Sequence, residues 1–244
     1  MPNPDFQYLA FGPDEGVPVT SLVVMLHGYG RNATYMQKMA DEVRARLPGA
    51  MALCVHGPQA MDTGVMQQGQ NHHLHIPQEV VAGNDGNEPE MMREWFRIDG
   101  DRSALHPRLT AIANDLNAFI DAQRDMFGLA EKQIVLMGFS QGGGTALYTA
   151  FTRAQEIGAL VCHSSIVIEK QGGDPNLKSA PQTLFLYGDN DPEFTQATYR
   201  KSFEWVKNHT GGRAREEIIK GLGHKTNWES RQLCGAYIYD VLKP

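Results

Sequence analysis

Ile134-Val135-Leu136-Met137-Gly138-Phe139-Ser140-Gln141-Gly142-Gly143-Gly144 decides the reading of this chain. Four apolar residues form a short run suited to a buried strand. A G-x-S-x-G turn follows at once, and then a stretch whose apolar residues recur at helical spacing. A turn this tight between strand and helix brings neighbouring side chains into collision. Gly138 and Gly142 relieve that crowding, and Ser140 is left in a strained backbone conformation at the head of a helix. The free N–H groups and positive dipole end of that helix point at any negative charge developing beside the serine.

Working outward, apolar runs at residues 21–26, 50–55, 158–162 and 183–187 read as further strands, and the more polar 215–219 as one near an edge. Helical patterns fill the intervals at 32–47, 141–153, 193–208 and 227–241. The clearest helix carries Leu105, Leu109, Ile112, Leu116, Phe119 and Ile120 at helical spacing, with Ser103 as its expected N-cap. Strands alternating with helices predict an α/β fold with a mainly parallel sheet and helices on both faces. Ligands of such sheets bind outside the carboxyl ends of the strands. Residues 58–96 fit neither pattern. They read as a long loop or lid-like insertion in a single domain spanning 1–244, with a short hairpin expected around Leu74-His75-Ile76 and Val80-Val81.

The 244 residues are 41% hydrophobic and 20% charged, which suits a well-cored globular chain rather than a disordered one. A net charge of −6 gives no basic footprint for nucleic acid or for an anionic membrane surface. The N-terminus shows no signal-peptide pattern and no run is long enough to span a bilayer, so a cytoplasmic location without stable membrane insertion is expected. Cys54, Cys162 and Cys234 are odd in number and widely spaced, and read as reduced thiols.

A serine hydroxyl needs a base to take its proton, and in this strand–turn–helix context the partners follow the serine in the chain. His163, His209 and His224 are the candidates. His224, in the last loop after a strand, is favoured. His209 closes a helix, and His163 ends a strand near the site. For the orienting carboxylate, Asp191 is preferred over its neighbour Asp189, with Asp174 third. Two backbone N–H groups would meet the oxyanion. Gln141 supplies one, and Tyr29, within His27-Gly28-Tyr29-Gly30 after the first strand, supplies the other.

Leu26-His27-Gly28-Tyr29-Gly30, Gly138-Phe139-Ser140-Gln141-Gly142, Asp191-Pro192, Gly223-His224 and the Trp95-Phe96 pair together resemble the phospholipase/carboxylesterase family, which includes bacterial carboxylesterases and acyl-protein thioesterases. The resemblance implies the α/β-hydrolase fold and a serine hydrolase without metal or cofactor, acting on carboxylic esters or thioesters. It carries Ser140, Asp191 and His224 as triad, and Tyr29 and Gln141 as oxyanion hole. The chain departs from the family in the length of the 58–96 insertion and in Pro-Glu-Phe after Asp191. A small-molecule ester is the expected substrate, a carboxylesterase the expected activity, and acyl-thioester or lysophospholipid hydrolysis the alternatives. A binding module without catalysis is the rival of another class. Met91, Met92, Trp95, Phe96 and His163 are read as substrate-pocket wall. His72, His73 and His75 read as solvated or lid histidines rather than metal ligands. Exposed apolar surface around the pocket would support a homodimer.

Overall fold

The computed structural model describes residues 6–61, 91–170 and 173–243. Strands β1 (Tyr8–Phe11), β2 (Ser21–Leu26), β3 (Ala50–Val55), β6 (Ile134–Phe139), β7 (Ala159–His163), β8 (Thr183–Gly188) and β9 (Ala214–Ile219) form one sheet in the order β1-β3-β2-β6-β7-β8-β9. β1 runs antiparallel to β3 and every other pairing is parallel. Two short strands, β4 (Gln59–Ala60) and β5 (Arg93–Glu94), pair separately.

Every residue of β2, β6, β7 and β8 is buried, because helices cover both faces. Leu22, Val24 and Leu26 point into one apolar core, which also takes in Leu109, Ile112, Leu116 and Phe119 of α2 (Arg102–Phe127), Phe151 of α3 (Gln141–Thr152) and Tyr199 and Phe203 of α4 (Gln196–His209). Val23 and Met25 point to the other core, with Met39 and Val43 of α1 (Gln37–Arg46) and Cys234 and Ile238 of α5 (Trp228–Leu242). All three cysteines are buried and unpaired, and burial drives each thiol pKa upward. No helix among the described residues is long and apolar enough to cross a membrane.

Three expectations are corrected here. The N-cap of α2 is Asp101, whose Oδ1 accepts from the Ser103 and Ala104 N–H groups, so Ser103 lies inside the helix. β1 forms without any recognisable pattern. Within 58–96 the described ends are paired strands rather than loop. The hairpin expected at 74–76 and 80–81, and His72, His73 and His75, lie outside the described residues.

The sheet order places the site. From β2 the chain crosses to β3 on one side, and it returns at β6 on the other, with Leu26 opposite Gly138. Neighbouring loops diverge at such a switch point and leave a crevice at the strand ends.

Candidate active site

Ser140 stands between β6 and α3 with φ 53° and ψ −122°, a left-handed backbone that a serine adopts only under constraint. The constraint is contact. A Cβ at Gly138 would lie 2.1 Å from the Gly142 carbonyl oxygen, and a Cβ at Gly142 would lie 2.3 Å from that of His27. The elbow and the loop after β2 therefore touch through backbone, which only glycine permits.

The structure brings Ser140 and His224 together from opposite ends of the sheet's second half. Ser140 Oγ lies 2.8 Å from His224 Nε2, and His224 Nδ1 lies 2.8 Å from Asp191 Oδ2. It is Asp191, rather than Asp189 or Asp174, that faces the imidazole. Asp189 instead accepts from the Gly221 N–H at 2.5 Å, and Asp174 accepts from Tyr148 Oη at 2.7 Å, far along the loop after β7. His209 ends α4 with its imidazole against the Trp205 carbonyl.

The Asp191 carboxylate is almost fully buried. Burial alone pushes its pKa up, but hydrogen bonds from His224 and Tyr199 and the backbone N–H of Glu193 outweigh it, and the carboxyl sits below its ordinary range. Tyr199 Oη donates to Oδ2 at 2.6 Å, while the Glu193 and Phe194 N–H groups donate to Oδ1 at 2.8 and 3.4 Å. An ionised carboxylate only accepts, so His224 carries its proton on Nδ1 and presents a bare Nε2 to the serine hydroxyl. The ring is wedged between Phe139 and Phe194, with centroids 5.1 and 5.7 Å away. Such an arrangement can take a proton from Ser140 and hold the resulting imidazolium.

On the other side of Ser140, the turn Gly28–Arg31 closes with the Arg31 N–H on the Gly28 carbonyl at 3.1 Å. It carries Tyr29, half-buried; burial raises its phenol pKa, and nearby Glu94 adds to the rise. Gln141 is the first residue of α3, where backbone N–H groups have no partner within the helix. His27 is fully buried beneath this turn. It accepts the Gly57 N–H at Nε2 (2.8 Å) and turns Nδ1 toward the Gly28 carbonyl (2.8 Å), and burial drives its pKa down to about 3. It is a neutral brace for the loop.

The residues read as pocket wall are placed otherwise. Met92, Trp95 and Phe96 are at most 4% exposed, and Trp95 and Phe96 belong to the core that the sheet shares with α2. His163 is also wholly buried, behind Phe139, with Nδ1 on Ser164 Oγ at 3.0 Å; burial lowers its pKa to about 3. Of that set only Met91 is exposed. A cavity of about 350 Å³ does open further along α3, where Gly144, Leu147 and Tyr148 face His106, Val167 and Trp205, and none of the five residues lines it. Sequence reasoning missed Tyr199, Phe139, Phe194 and the bracing His27. His27 and Phe139 lie inside the motifs themselves and Phe194 three residues past Asp191, but only the fold turns their side chains to these partners. Among the described residues no group of three His, Cys, Asp or Glu side chains could hold a metal ion.

The family model described as Phospholipase/Carboxylesterase matches residues 70–241. Acyl-protein thioesterase 1 of Saccharomyces cerevisiae is 23% identical over 218 residues, covering 86% of this chain and 87% of that protein. Among solved structures, esterase PE8 aligns with a TM-score of 0.77 at 22% identity, covering 97% of this chain and 99% of that one. The Bacillus cereus carboxylesterase aligns at 0.69 with 19% identity, covering 98% and 96%. The fold is shared with both structures, and the chain belongs to the phospholipase/carboxylesterase family of hydrolases.

Proposed function

We propose that this chain is a serine carboxylesterase acting on small-molecule esters through an acyl-enzyme on Ser140. The observation that carries the reading is the unbroken hydrogen-bonded series from Ser140 Oγ through His224 to Asp191, with both links at 2.8 Å. As Ser140 attacks the ester carbonyl, His224 Nε2 takes its proton, and the C–O π bond opens to an oxyanion. The N–H groups of Tyr29 and Gln141 receive that charge. His224 then passes the proton to the leaving alkoxide, which departs as alcohol. Water, deprotonated by the same nitrogen, attacks the acyl-enzyme and releases the acid. Asp191 keeps the imidazole in the required tautomer and stabilises its cation.

A second reading, acyl-thioester hydrolysis, is supported by the yeast thioesterase relative. The chemistry differs only in the leaving group, so the triad alone does not choose between them.

Fluorophosphonate labelling of wild type, Ser140→Ala and His224→Ala tests the mechanism, and turnover of matched p-nitrophenyl esters and acyl thioesters of rising chain length tests the substrate. Wild type should label and both variants should not. Asp191→Asn should lower kcat by about 10⁴-fold, as the wrong tautomer does in other serine hydrolases. A folded wild type that neither labels nor turns over ester or thioester would leave a binding module as the better account. Faster turnover of thioester than of its matched oxyester would move the second reading to the front.

A further inference from the structure

We infer that residues 93–96 form a strap that fixes the spacing between the two oxyanion donors, with the Gln141 side chain and the Trp95 indole as its fastenings. The inference rests on the Ser140 reading and assigns both side chains as positioning residues.

The two donors come from different places. Tyr29 rides on the turn after β2, and the Gln141 N–H opens α3. The sheet pairs β2 with β6, but that pairing ends at Leu26 and Gly138, before either donor. Beyond the sheet, one segment bonds to both. On the Tyr29 side, the Gly30 N–H donates to the Arg93 carbonyl at 3.0 Å, the Arg93 N–H donates to that of Arg31 at 3.0 Å, and Trp95 Nε1 donates to that of His27 at 2.7 Å. On the helix side, the Gln141 amide closes a two-point clamp. Its Oε1 accepts from the Trp95 N–H at 3.0 Å and its Nε2 donates to the Phe96 carbonyl at 2.7 Å.

The clamp explains the residue type. A backbone N–H is available from any amino acid except proline at position 141, but a neighbouring donor and acceptor on one flat group is not. Glutamate offers acceptors only, and asparagine is one carbon short. Trp95 and Phe96 are 1% and 2% exposed, so without the amide a buried N–H and a buried carbonyl would go unpaired. The oxyanion exists only after attack. A change in donor spacing therefore acts on the transition state and leaves ground-state binding almost untouched.

The experiment compares Gln141→Met, Gln141→Glu and Trp95→Phe with wild type, using a p-nitrophenyl ester for kcat and KM and phenylboronic acid, which forms a tetrahedral adduct on serine, for transition-state affinity. Gln141→Met keeps length and burial but removes both clamp bonds. We expect kcat to fall about 10- to 100-fold, short of the about 10²- to 10³-fold for losing a donor outright, with KM within about twofold and boronate affinity falling in step with kcat. Gln141→Glu, which retains the acceptor for Trp95 but sets a carboxylate oxygen against the Phe96 carbonyl, should lose at least as much. Trp95→Phe cuts the strap from the opposite side at little cost in volume, should show the same signature, and decides the matter if Gln141→Met does not fold. Folded variants with kcat within about twofold of wild type, or with the loss confined to KM and unchanged boronate affinity, would overturn the inference. Wild type failing to turn over ester while labelling nothing would instead overturn the Ser140 reading, and this role with it.

Discussion

Replacing Gly142 by alanine should disable the site while leaving the sheet intact. A Cβ there would stand 2.3 Å from the His27 carbonyl oxygen and 2.5 Å from that of Leu26, against the 3.4 Å at which ordinary van der Waals contact begins. Neither neighbour is a side chain that can rotate away. The head of α3 must retreat from the loop after β2 by about 1 Å, and that is the gap across which Tyr29 and Gln141 face one another. A misplacement of about 1 Å in a reacting assembly costs about 10²-fold in rate, equivalent to about 2.7 kcal/mol of barrier. The same overlap should cost about 1–3 kcal/mol of stability. The assay is kcat on a p-nitrophenyl ester well below the unfolding midpoint, with the midpoint followed by circular dichroism. A folded Gly142→Ala protein with kcat within about threefold of wild type would refute the reasoning, since it would mean that contact between elbow and loop does not set the geometry.

Two further outcomes follow from the packing. Tyr199→Phe removes a 2.6 Å donor from the Asp191 carboxylate. The Asp191 carboxyl lies below its ordinary range, so the stability its charge contributes is fully present above that range and is lost as pH falls through the lowered value. Without Tyr199 the value moves up, and this contribution, read as the unfolding midpoint against pH, should shrink and vanish at higher pH than in wild type; an unmoved acid profile would count against the bond. Arg153, 4% exposed, meets Asp121 at 2.7 Å, Glu131 at 2.9 Å and the Asn117 side chain at 3.0 Å. Arg153→Ala leaves Asp121 and Glu131 to Arg124 alone and empties a buried site, and should cost about 2 kcal/mol, lowering the midpoint by about 4–8 °C for a domain of this size, with fluorophosphonate labelling of the folded protein unchanged.

What the sequence made legible follows the strength of local signals. The strand into Ser140 could be read because an apolar run, a glycine-bounded turn and a helical period stand side by side, and the polar run ending at Ile219 duly forms an edge strand. β1 could not, because four half-exposed residues paired only to β3 carry no period to detect. Ser103 and Asp101 are both good helix caps two residues apart, and only the backbone path chooses between them. Trp95 and Phe96 were recognisable as important but their role was not. Bulk beside a site suggests a wall for substrate, whereas the direction of one indole N–H, set by a carbonyl 68 residues away, makes Trp95 a tie. The Gln141 clamp and the Tyr199 bond span 46 and 8 residues of chain respectively, and no spacing rule announces either.

The seam where β4 meets β5 has a consequence for how this chain can change. The Met61 N–H donates to the Met92 carbonyl at 2.9 Å, so the β4–β5 pairing carries on for one more rung and holds these two residues side by side. Anything inserted there begins and ends at the same point. Doubling the length of a flexible insertion at such a point costs only about 0.6 kcal/mol in closure entropy. The ends of any segment exchanged between Met61 and Met92 would therefore already be held together. The limit lies just past the join, at Arg93, where the strap to the oxyanion loop starts. Swaps that cut before Met92 should keep fluorophosphonate labelling of Ser140, and cuts even a few residues later should lose it.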